Sequence, residues 1–148
     1  MKRLLIILFA FLMICSFSRT ASAQDPSELV GRCVLDVGEN TTYLKDYVVK
    51  LPEAYSHDNI PIHKNTAILL KNTHYRLTIC NSNDSKGQGV IQLYNDGKKV
   101  GSSISPETGK IYHSFDFLCN KTGSYQIWIS FKGGEEGFAV GILSLVND

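Results

Sequence analysis

The sequence predicts an all-β protein: an antiparallel, jelly-roll-like β-sandwich of about eight strands with one short N-terminal helix. Three observations carry that expectation. Between Ile111 and Phe131 apolar residues recur at every second position. Ile111, His113, Phe115, Phe117 and Cys119 share one face, and so do Tyr125, Ile127, Ile129 and Phe131. A period of two is the mark of a half-buried strand. The segments between apolar runs, such as Asn120-Lys-Thr-Gly123 and Lys132-Gly-Gly-Glu-Glu136, are made of turn-forming residues. From Tyr43 onward such breaks recur at intervals of roughly 8–12 residues, as in a sandwich of short strands.

Residues 1–23 read as an export signal. Lys2 and Arg3 precede the apolar run Leu4 to Ile14, and Ala21-Ser-Ala23 is an A-x-A cleavage pattern. The apolar run is too short for a stable membrane anchor. Cys15 follows bulky Ile14, which disfavours lipid attachment there. Of 15 basic residues the signal removes three (Lys2, Arg3, Arg19) and none of the 14 acids, leaving 12 against 14. No Lys/Arg cluster stands out, which argues against a nucleic-acid partner. The expectation is an exported bacterial protein, periplasmic or extracellular, with no transmembrane anchor after cleavage.

Residues 24–42 form a helical segment and linker. Asp25 with Glu28 resembles a capping pair, Pro26 suits the first turn, and Leu29, Val30, Cys33 and Val34 fall on one stripe. Residues 43–148 form the sandwich. Tyr43 to Leu51 reads as a first, imperfectly alternating strand, and Pro52 to Asn65 as a loop. Thr66–Asn72 follows, with Ala67-Ile-Leu-Leu70 continuously apolar as if covered on both faces. His74–Cys80 alternates, and Val90–Asn95 and Lys98–Ile104 flank an Asn95-Asp-Gly97 hairpin signal. Ser105–Gly109 is a turn, and Ile111–Cys119, Ser124–Phe131 and Gly137–Val146 complete the set.

Removal of Cys15 leaves Cys33, Cys80 and Cys119, an odd number in an oxidising compartment. Cys80 and Cys119 each end a strand-like run before an Asn, so the favoured disulfide is Cys80–Cys119, with no disulfide, or Cys33 pairing to either partner, as the alternatives. His57 and His63, with Asp58 between them, lack zinc-motif spacing. The Asn81–Gly89 turn offers oxygens of Asn81, Asn83 and Asp84 to calcium, but one carboxylate is few for a hard cation. No cofactor is expected.

The order Tyr75-Arg-Leu-Thr-Ile79, Val90-Ile-Gln-Leu-Tyr94-Asn-Asp-Gly97 and Thr122-Gly-Ser-Tyr125-Gln-Ile-Trp-Ile129 resembles the secreted bacterial PPC-type jelly rolls. The late Gly-x-Tyr is also similar to that of the GOLD-type sandwich of cargo adaptors. The resemblance covers about Thr66 to Val146. It implies a non-catalytic domain, with no catalytic residues to carry over.

The residues agree with that implication. No Gly-x-Ser-x-Gly elbow, phosphate loop or dinucleotide fingerprint is present. His113 points away from Ser114 and Asp116 on a strand, so the three form no relay, and His113 is expected at the core edge. The chain is therefore expected not to be an enzyme; a small secreted hydrolase and calcium-assisted adhesion are the further alternatives. The leading reading is protein–protein or envelope-associated binding, and the alternative is carbohydrate binding at an exposed aromatic face. The candidate binding residues are Trp128 and Gln126, which share the face opposite Ile127 and Ile129, together with Tyr112 and with Tyr94 as a further aromatic.

Overall fold

Each period-two run becomes a strand. In the computed structural model, which describes residues 24–147, one helix precedes eight strands. These are α1 (Pro26–Asp36), β1 (Thr41–Leu51), β2 (His63–Leu69), β3 (His74–Asn81) and β4 (Gly89–Asn95). Then come β5 (Lys98–Ser102), β6 (Ser114–Leu118), β7 (Gly123–Phe131) and β8 (Gly137–Val146). The export signal, its Ala21-Ser-Ala23 site and Cys15 lie outside the described residues. No helix among the described residues is long and apolar enough to cross a membrane.

The strands form two four-stranded sheets, ordered β1-β8-β3-β6 and β2-β7-β4-β5, with every pairing antiparallel. This is the all-β sandwich that the sequence predicts. Leu77 and Leu143 from the first sheet meet Leu69, Ile91, Leu93, Ile127 and Ile129 from the second, all almost fully buried. Phe115 and Phe117 pack against this cluster from its margin. Burying a side chain of this size stabilises the fold by roughly 1.5–3 kcal/mol.

Helix α1 covers the outer side of the first sheet. Asp25 caps it by accepting the Ser27 N–H at 3.0 Å. Leu29, Cys33 and Val37 press onto Cys80, Val140 and Ile142. Strand β8 is consequently buried on both faces, which explains why its sequence runs apolar without alternation. The uneven alternation of β1 has a local cause, a shift of register between Tyr43 and Lys45. At the β4–β5 turn Asp96 (φ 49°) and Gly97 (φ 76°) both take the left-handed conformation that a two-residue hairpin demands.

Three expectations are corrected. The disulfide joins Cys33 to Cys80, and Cys119 is a buried free thiol, so the Cys80–Cys119 pairing does not form. The reason is strand direction. β3 and β6 run antiparallel, with His74 opposite Leu118 and Thr78 opposite Ser114. Cys80 and Cys119, each at the C-terminal end of its strand, therefore lie at opposite ends of the sheet. Cys80 instead faces outward beneath α1, where Cys33 meets it. Second, Ala67–Leu70 is not covered on both faces: β2 is an edge strand, and Ile68 is 67% and Leu70 55% exposed. Third, His113 is exposed rather than at the core edge, because β6 begins one residue after it and the alternation does not extend back.

Candidate functional site

The second sheet keeps its outer face open, because α1 lies on the first. Alternation along β7 turns Tyr125, Ile127, Ile129 and Phe131 inward and Ser124, Gln126, Trp128 and Ser130 outward. Register then fixes the neighbours. Trp128 sits opposite Lys64 on β2 and Gln92 on β4, and Gln126 sits opposite Thr66 and Tyr94. Cross-strand neighbours lie close enough for their side chains to touch.

They do touch. The Tyr94 ring stacks on the Trp128 indole with centroids 4.2 Å apart. The Lys64 ammonium lies 4.1 Å from the indole centroid. Since β4 and β2 flank β7 on opposite sides, Tyr94 and Lys64 approach the indole from opposite sides. Trp128 Nε1–H donates to Gln126 Oε1 at 3.0 Å, and Tyr94 O–H donates to Gln92 Oε1 at 3.3 Å. Gln92 Nε2 reaches Ser102 Oγ at 3.5 Å on β5. A half-buried aromatic pair is thus held in place by polar side chains from three strands. Beside it, Tyr94, Asp96, Gly97, Ser124 and Gln126 line a shallow cavity of about 310 Å³.

The electrostatics of this sheet are one-sided. Strands β2, β4, β5 and β7 together carry Lys64, Lys98 and Lys99 and no carboxylate. Lys99 pairs with Tyr94 in register, next to the aromatic cluster. Asp96, at the hairpin tip, is engaged by the Lys121 ammonium at 3.4 Å.

The structure brings Trp128 and Gln126 together, adds Tyr94, and leaves Tyr112 apart. The Tyr112 N–H donates to Ser103 O just past β5, which puts Tyr112 three strand positions from Trp128, on the order of 14 Å. Tyr112 is exposed, with the Lys110 ammonium 4.9 Å from its ring. Lys64, Gln92 and Lys99 were not singled out from sequence. Their signal is the parity of each strand, but it points to Trp128 only once the strand order is known.

The other sequence candidates fall elsewhere. His57 stands in the loop before β2 and His63 opens that strand. Among the described residues, Asp36, Cys80 and His113 come near one another, but the Cys80 sulfur is already bonded to Cys33. Asn81 Oδ1 accepts the Gly89 N–H at 2.7 Å, and Asn83 Oδ1 accepts from Arg32 at 3.2 Å. Asp116 is held by Arg76 through two hydrogen bonds, 2.6 Å and 2.8 Å, while Arg76 also donates to Val37 O at the end of α1.

The Arg76 guanidinium holds the Asp116 carboxyl below its ordinary value. A carboxyl whose pKa is depressed in the folded state contributes stability above its unfolded value, and that contribution is lost as pH falls. Asp116→Asn is therefore expected to lower the melting temperature slightly at neutral pH. It should also flatten the loss of stability below about pH 4, which thermal melts across pH will show. Asp116 is partly exposed, so the effect is screened.

No family model matches the chain, and no curated protein matches it in sequence. Among solved structures, the periplasmic lysozyme inhibitor PliG of Aeromonas hydrophila, an inhibitor of g-type lysozyme, is similar with a TM-score of 0.47 and 11% identity. The match covers 73% of this chain and 88% of that one. At that identity nothing about partners passes from the inhibitor to this chain.

Proposed function

We propose that the chain is an exported, non-catalytic binding module whose outer second sheet docks a protein partner around Trp128. The observation that supports this reading most is the state of the indole. Tyr94 and Lys64 approach it from opposite sides, so a sugar ring finds no broad free face to stack on. The cluster is ordered by its own hydrogen bonds, so little side-chain freedom remains to be lost on docking. Trp and Tyr are among the residues most enriched at interface hot spots, and here the two are stacked on one another. Exposed Ile68 on β2 and Leu70 just past its end add apolar surface to the same sheet.

Lysines on strands that carry no carboxylate, with Asp96 at the hairpin tip already engaged by Lys121, fit a partner that presents acidic side chains. Capture of that partner from native envelope extract should weaken as salt rises from about 0.05 M to about 0.5 M. Lys64→Glu with Lys99→Glu should abolish it at low salt. Capture indifferent to salt and to both substitutions contradicts the reading.

The cavity beside Tyr94 favours one second reading, a glycan held through Asp96, Ser124 and Gln126. Binding to a glycan array that Asp96→Ala removes would establish that reading in place of the first.

A further inference from the structure

We propose that Gln24, once it begins the mature chain, cyclises to pyroglutamate, and that the Ser82–Asn83 turn promotes the reaction. The inference rests on the export-signal reading, which puts cleavage between Ala23 and Gln24. In the folded chain the Gln24 side-chain oxygen is held by two donors. Ser82 O–H donates to Oε1 at 2.8 Å and the Asn83 backbone N–H at 3.1 Å. Ser82 is 4% exposed, and its Oγ accepts the Asp84 N–H at 3.3 Å, which leaves the hydroxyl proton for Gln24.

Two donors on an amide oxygen do more than anchor it. In cyclisation the free α-amine of Gln24 attacks its own Cδ, and negative charge collects on Oε1 in the tetrahedral intermediate. Fixed donors aimed at that oxygen stabilise the charge as it develops. The new bond joins the α-nitrogen to Cδ, and the bond from Cδ to Nε2 breaks. A proton passes from the α-nitrogen to Nε2, which departs as ammonia. Nothing is oxidised or reduced, and no co-reactant is consumed. The lactam carbonyl keeps the same oxygen, so an acceptor for Ser82 and Asn83 is retained. Cyclisation also erases a positive charge two residues before Pro26, where the helix dipole disfavours a cation.

The test is export of the full chain with its own signal, followed by mass spectrometry of the mature N-terminal peptide over time. The expected product begins at residue 24 and is one ammonia lighter than the encoded peptide. The folded protein should cyclise roughly tenfold faster than the same chain held in urea, Ser82→Ala should lose that advantage, and Ser82→Thr should keep it. Equal rates folded and unfolded, or a glutamine that persists in the folded chain, overturn the proposal. A mature chain beginning at another residue overturns it together with the signal reading on which it rests.

Discussion

Replacing Cys33 and Cys80 together by alanine is expected to cost about 4 kcal/mol of stability. The bond closes a loop between positions 47 apart in sequence, so its loss restores considerable freedom to the unfolded chain. It also removes the covalent tie between α1 and β3. An isolated helix of 11 residues is marginal in water. The packing of Leu29 and Val37 on Val140 and Ile142 must then hold α1 unaided. The melting temperature should fall by roughly 15 °C, and reduction of the wild-type protein should have the same effect. Thiol labelling checks the pairing independently: among the cysteines of the described residues, only Cys119 should label in the oxidised protein, and only after unfolding. A loss below about 1 kcal/mol would show that the bond contributes little beyond the packing around it.

Replacing Trp128 by alanine is expected to weaken partner binding by roughly 30- to 100-fold, the loss of a hot-spot anchor worth about 2–3 kcal/mol. The fold should survive, because the indole stands on the outer face while Ile127 and Ile129 beside it carry the core. The substitution also frees Tyr94 and Lys64, which now rest on the ring. Gln126→Ala should act more weakly, by releasing the indole Nε1–H and loosening its orientation. Circular dichroism must match the wild type in both variants while capture from the envelope declines. Undiminished capture by Trp128→Ala would remove the anchor from the account.

Much of this architecture is legible in the sequence because strand alternation is a local property. Ile127 and Ile129 face inward, and Trp128 and Gln126 outward, whatever the strand order. What depends on order or direction is not written locally. The Cys80–Cys119 expectation treated two strand ends as equivalent, and antiparallel pairing separates them. Ala67–Leu70 reads as doubly covered, yet the order of the second sheet leaves β2 at an edge with one face open. β8, equally apolar, is covered on both faces, because α1 happens to pack there. The site shows the same division. Trp128 follows from parity alone, whereas register selects Tyr94 rather than Tyr112 as its companion and brings Lys64 onto the ring.

The most direct measurement of the central claim is site-specific photo-crosslinking in native cells. One crosslinker replaces Gln126, in the middle of the open face, and another replaces Leu35, 84% exposed on α1. The account predicts a discrete adduct with a protein at position 126 that fades with rising salt, and none at position 35. Adducts at position 35 with none at 126 would contradict it.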